Sequence, residues 1–246
     1  MRMALAVATA LLLSTGCTSA SGTTDARQEA KSPAATGARS AGSKETSATA
    51  DAFRHRASGL IPARQLQRDV CEAGEESSFN HGRDTYRFRC TRTLIMYFGA
   101  DGAIVDRIRE MDAAIKDVVR KRTGSKPITD QSFETVDEAM KYYASDGKDG
   151  PVPTLTYRWS VGGGAQNKFK ARMDWEDPVK DRGRFFLQGP GNYVCSTSNG
   201  GVNASRSAVQ ECQTVDQEAE TSRIRARHRY AVKVTLEDNY YELEWE

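Results

Sequence analysis

From Arg223 to Leu236 the chain alternates between two kinds of side chain, and no other feature restricts its folding more. Ile224, Ala226, His228, Tyr230, Val232, Val234 and Leu236 share one parity, while Arg223, Arg225, Arg227, Arg229 and Lys233 share the other. A period of two puts these sets on opposite faces of a β-strand, so the spacing predicts a half-buried strand. Beyond Asp238-Asn239, Tyr241, Leu243 and Trp245 alternate with Glu242, Glu244 and Glu246. A two-residue turn at Asp238-Asn239 would set Leu236 opposite Tyr241, Val234 opposite Leu243 and Val232 opposite Trp245. Short polar residues suit such a turn. The expectation is a C-terminal hairpin whose wet face carries Arg223, Arg225, Arg227 and Arg229. Four guanidinium groups in a stripe are a candidate anion-binding surface. The competing reading is a solvated face offset by Glu242 and Glu244.

The same logic predicts a second hairpin over Thr154–Val161 and Lys168–Trp175. Its apolar sets, Leu155, Tyr157, Trp159, Val161 and Phe169, Ala171, Met173, Trp175, match across an odd-length loop containing Gly162-Gly163-Gly164. Tyr86 to Phe98 reads as a further strand, and Arg184 to Cys195 as a weaker one broken by Gly189-Pro190-Gly191. Ile104, Ile108, Met111, Ile115, Val118 and Val119 follow helical spacing, with Gly124 as a stop. A strand from Ala103 would instead turn Asp106 inward. Residues 132–145 form another expected helix, with Ser132 as its cap, and a short helix over Leu60–Val70 would be a third. The sum is an α+β fold: an antiparallel sheet of five or six strands with two or three helices on one face.

The N-terminus has a different character. Arg2 precedes an apolar run from Met3 to Leu13, followed by Ser14-Thr15-Gly16-Cys17. That run is too short for a bilayer's ~30 Å core, which takes about twenty helical residues, and it has the form of a secretory signal. Leu13-Ser14-Thr15-Gly16-Cys17 resembles the lipobox of bacterial lipoproteins, with Ser14 where that family usually has Leu. The resemblance implies that residues 1–16 are a signal peptide and that Cys17 becomes the first mature residue. Its thiol would carry diacylglycerol and hold the protein on the outer face of the cell membrane. Ordinary cleavage after Thr18-Ser19-Ala20 is the alternative. Residues 17–52, rich in Ser, Thr, Ala and Gly, are expected to form a disordered linker, with the folded domain confined to 53–246.

An exported domain favours disulfides, and Cys71, Cys90, Cys195 and Cys212 are even in number. Of the three possible pairings, Cys71–Cys90 with Cys195–Cys212 closes two local polar loops, giving two disulfides. A zinc site of all four thiolates is the rival, although no CxxC pair is present.

Composition limits function mostly by exclusion. The chain has 35 Lys and Arg against 33 Asp and Glu, a balance that removes the electrostatic footprint of a nucleic-acid binder. There is no GxSxG, HExxH, Walker loop or GxGxxG ahead of a helix. No cofactor is implied. The histidines are His55 at the linker's edge, His81 near Asp84, and His228 on the inward strand face. Arginine outnumbers lysine 24 to 11, and the whole resembles the uncharacterised lipoproteins of high-GC Gram-positive bacteria. The leading expectation is a membrane-tethered, non-enzymatic envelope protein that binds another protein or an anionic wall polymer. The alternative is a secreted hydrolase with a dispersed site around His228 or His81.

Overall fold

A computed structural model describes residues 25–75, 84–124, 126–129, 135–145, 152–160, 168–176 and 206–245. Its strands are β1 (Leu60–Ala73), β2 (Phe88–Ala100), β3 (Ile128–Thr129), β4 (Leu155–Ser160), β5 (Lys168–Glu176), β6 (Ser207–Cys212) and β7 (Tyr230–Leu243). They form one sheet in the order β3-β4-β5-β7-β2-β1-β6, antiparallel at each pairing. The helices are α1 (Ala26–Glu29), α2 (Pro33–Arg56), α3 (Ile104–Thr123), α4 (Val136–Ala144) and α5 (Gln217–Arg225). The class is α+β, as the alternating and helical patterns require.

The main core lies between one sheet face and α2, α3 and α4. Leu94, Met96 and Phe98 of β2 and Val232, Val234 and Leu236 of β7 meet Phe53 of α2 and Ile108, Met111 and Ile115 of α3 there. Burying each such side chain is worth about 1.5–3 kcal/mol. The expected β4–β5 hairpin forms with its odd-numbered apolar residues on one face, and its register sets Leu155 opposite Met173, Tyr157 opposite Ala171 and Trp159 opposite Phe169. α3 also starts at Ile104 as expected and ends at Gly124, whose φ of 71° is a left-handed conformation that glycine adopts without a Cβ penalty. The expected cap Ser132 lies outside the described residues. α4 is capped by Thr135, whose hydroxyl accepts the Glu138 N–H at 3.3 Å. The strand expected over Arg184 to Cys195 is likewise outside the described residues.

Three expectations are corrected. Leu60–Val70 is not a helix but most of β1, which pairs with β2 from Leu60↔Ala100 to Ala73↔Phe88. A ladder of that length outweighs a weak local propensity, and Pro62, which cannot donate, sits at a register shift. The C-terminal hairpin is absent. β7 runs straight through Asp238-Asn239, with β2 on one side and β5 on the other. A central strand satisfies backbone groups along both edges, which a terminal two-stranded ribbon cannot do. Trp245 therefore does not face Val232; its indole N–H donates to the Asp84 carbonyl at 2.9 Å. Residues 223–229 are not strand either, because Asp216 caps α5 by accepting the Ala219 N–H at 3.0 Å. Glu218 and Glu220 in its first turn and Arg223 and Arg225 in its last complement the helix dipole. Gln217, Glu220, Thr221 and Ile224 are its buried residues, a helical spacing hidden under the apparent alternation.

The third correction concerns the linker. From Asp25 onward it is folded into α1 and α2 rather than disordered. Ser32 caps α2 by accepting the Ala35 N–H at 3.1 Å, and Pro33 occupies the first turn, where its missing N–H costs nothing. The buried face is built from small residues, namely Ala35, Gly42, Thr46, Thr49 and Ala50, and ends at Phe53. Small side chains bury little apolar area but let the helix sit close to the sheet. A Cβ on Gly42 would lie 2.6 Å from the Tyr240 Cβ and 2.9 Å from Asp238 Oδ2. Gly42→Ala is therefore expected to destabilise the fold by about 1–3 kcal/mol despite alanine's better helix propensity. A urea melt showing a gain would mean that α2 does not dock this closely.

Beneath α2 lies a buried polar network. Arg92 of β2 donates to Asp69 of β1 at 2.8 Å, and the Tyr240 hydroxyl donates to the other Asp69 oxygen at 2.6 Å. Arg39 of α2 stands 3.6 Å from Asp69, and Thr46 donates to Asp238 at 3.3 Å. Beside this network Cys71 and Cys90, directly opposite each other on β1 and β2, form a disulfide. Cys71–Cys90 is the one disulfide seen among the described residues, where two were expected; Cys195, the expected partner of Cys212, lies outside them.

Candidate binding groove on the open sheet face

Alternation places every second side chain of the sheet on the face opposite α2, α3 and α4. One end of that face is covered by α5, whose Ile224 packs on Leu66, Ile95, Tyr97 and Ala231. Here the expected arginine stripe dissolves. Arg223 pairs with Glu220 on its own helix, and Arg225 donates to Glu176 of β5 at 2.9 Å. Arg227 is exposed in the turn after α5, and the Arg229 guanidinium stands 5.3 Å from the Tyr230 ring centre. These four cations do not line one surface, because Arg223 and Arg225 lie about 200° apart around α5 and Arg227 and Arg229 fall in the turn beyond it. Lys233 is buried below α5 with its ammonium 3.8 Å from Asp174. Burial lowers its pKa, and Asp174 opposes that shift.

Past α5 the same face opens into a cleft of about 470 Å³. Its floor is a row running straight across five strands. Arg68 pairs with Thr93, Thr93 with Glu237, Glu237 with Lys170, and Lys170 with Arg158. At about 4.8 Å per strand the row spans roughly 19 Å. A second row holds Val70, Thr91 and Asn239, where the Thr91 hydroxyl donates to the Asn239 side-chain oxygen at 2.8 Å. Arg89 closes one end, donating to Glu72 at 2.9 Å and lying 3.8 Å over the Tyr86 ring. Its shielded Nε finds no acceptor among the described residues. Around the cleft stand four cations, Arg68, Arg89, Arg158 and Lys170, against the two carboxylates of Glu72 and Glu237.

Reading the sequence alone missed this groove. The hairpin pattern already put Arg158 and Lys170 on the outward face; their pairing is a matter of register. Arg68 and Glu237 were lost because β1 was read as helix and β7 as turning at Asp238.

His228 is not on a strand face. It lies in the turn between α5 and β7, where its Nδ1 is 2.8 Å from Asp101 Oδ2. The other Asp101 oxygen accepts the Arg229 N–H at 2.9 Å. Both hydrogen bonds favour the ionised acid, so the Asp101 pKa is lowered, chiefly by His228. The imidazole packs flat against Gly99, where a Cβ would fall 2.0 Å from its Cδ2. His55 is exposed in the last turn of α2. Cys17 and His81 lie outside the described residues. Among the described residues no three His, Cys, Asp or Glu side chains are grouped to hold a metal ion, and no helix is long and apolar enough to cross a membrane. The chain matches no protein-family model, no curated protein and no solved structure.

Proposed function

We propose that this chain is a non-enzymatic binding domain, held on the outer face of the cell membrane by lipid on Cys17, with the open half of its sheet as the recognition surface. The observation that carries the reading is the groove. One sheet face is packed under three helices, while the other opens past α5 into a cleft lined by charged and hydroxyl side chains. Photocrosslinking from a reactive residue in place of Val70, in intact cells, tests it. Capture of an envelope component from this position, but not from the exposed Ile61, is the expected result. Equal labelling from both removes the groove as a recognition surface.

The anchor rests on the short apolar leader and the sequence ending at Cys17. With α1 starting at Ala26, the tether reduces to residues 18–24, at most about 25 Å when fully extended. The domain would then sit against the membrane rather than roam the cell-wall space. Cys17→Ser should move the protein from the membrane fraction into the medium or leave it as uncleaved precursor. Normal processing with continued membrane residence would show that lipid is not what holds it.

A hydrolase reading keeps one favourable observation, the His228–Asp101 pair, since a carboxylate on Nδ1 orients an imidazole for general-base work. It requires a nucleophile or activated water at Nε2. Loss of an ester- or glycoside-cleaving activity in His228→Ala with retained folding would favour it.

A further inference from the structure

Resting on the binding-domain reading, we infer that the groove takes a linear polyol phosphate, a chain of phosphodiesters separated by hydroxyl-bearing units, laid across the strands from Arg68 to Arg158. The register carries the argument. Arg68 stands at one end of the row and Lys170 and Arg158 at the other, with Thr93 and Glu237 between them. Arg68 and Lys170 are three strand spacings apart, about 14 Å. Cations at both ends match two separated phosphates. The carboxylate and hydroxyl between them match groups that donate hydrogen bonds, as free hydroxyls do and phosphates do not.

An unbroken polyanion fits worse, because Glu237 and Glu72 would face its charge directly. An acidic peptide fits worse for a second reason. The strands under the middle of the groove, β2, β7 and β5, are paired on both sides, so a peptide laid across them finds no sheet edge there to extend as an added strand. Arg68, Arg158 and Lys170 each engage a neighbouring group already, so a phosphate exchanges for existing contacts, and binding is expected to be moderate and strongly salt-dependent.

The test is titration calorimetry of the intact domain with a poly(glycerol phosphate) oligomer, glycerol 3-phosphate, inorganic polyphosphate and phosphatidylglycerol vesicles. The oligomer should bind at least tenfold more tightly than the monomer and more tightly than polyphosphate. Arg68→Gln and Lys170→Gln should each weaken it about tenfold, while Arg109→Gln on α3, behind the sheet, leaves it unchanged. Glu237→Gln should tighten polyphosphate binding, a gain that misfolding cannot imitate. Preference for polyphosphate, equal losses in Arg109→Gln, or equal binding to the vesicles would each overturn the assignment. No oligomer binding together with protein crosslinked at Val70 would overturn the ligand class and leave the binding reading standing; failure of both would overturn the two together.

Discussion

Asp238→Asn should make the protein more stable at pH 8 and leave it nearly unchanged at pH 4. Asp238 is 2 % exposed, under α2 and beside Gly42. Removal from water pushes its pKa up to about 7; nearby Glu45 and Asp69 push the same way, and the Thr46 hydrogen bond and the Arg92 charge pull back. In the unfolded chain the group titrates near ~3.9. Between those values the folded protein holds a proton that the unfolded chain releases, so stability falls as pH rises from ~4 to ~7 and is level above. The gap is worth roughly 4 kcal/mol at most. An asparagine keeps the shape and the acceptor for Thr46 without the charge, and should remove that slope. Urea unfolding at several pH values decides it. A variant that loses stability with pH as steeply as the parent would clear Asp238 of responsibility.

Arg92→Met should be strongly destabilising. Arg92 is 5 % exposed and Asp69 is fully buried. Once the guanidinium is gone, Asp69 keeps the Tyr240 hydroxyl at 2.6 Å and only a distant Arg39 at 3.6 Å. Removing one partner of a buried pair leaves an uncompensated charge and costs about 3–5 kcal/mol. That is a large share of the roughly 5–15 kcal/mol of a typical domain. Adding Asp69→Asn to the variant should recover part of the loss, because both charges are then gone. The two predictions are linked. Arg92 is one of the groups holding the Asp238 pKa down, so in Arg92→Met the pH at which stability levels off should move upward. A loss below ~1 kcal/mol, with no recovery in the double variant, would mean that the pair is solvated rather than buried.

The network behind both predictions was hidden in the sequence for a definite reason. Asp69, Arg92 and Asp238 lie on three strands, and local rules separate them: Asp69 falls within a possible helix, Arg92 within the Tyr86–Phe98 strand, and Asp238 at an expected turn. Asp-Asn favours turns when a strand has nowhere else to go. Here β2 and β5 already flank the segment, and the ladder on both edges outweighs the turn preference. α2 was missed for a related reason. Hydrophobic periodicity looks for large side chains, whereas this helix docks through Ala, Gly and Thr against a polar surface. The signals that were present, Ser32-Pro33 as a start and Phe53 as the single large anchor, are weak without the sheet beneath them.

The sequence by itself determined the α+β class, the β4–β5 hairpin and its apolar face, α3 with its Gly124 stop, and the cysteine pair that becomes Cys71–Cys90. Each depends on residues near one another in the chain, where alternation, helical spacing and a glycine's left-handed conformation act without help from distant neighbours. Tertiary structure alone decided that β7 is central, that α5 replaces an arginine-lined strand, and that Arg68, Thr93, Glu237, Lys170 and Arg158 form one row. Those outcomes depend on which strands become neighbours. Strand order is set by the total burial and hydrogen bonding of the sheet, a sum over distant pairs that no local window of sequence contains.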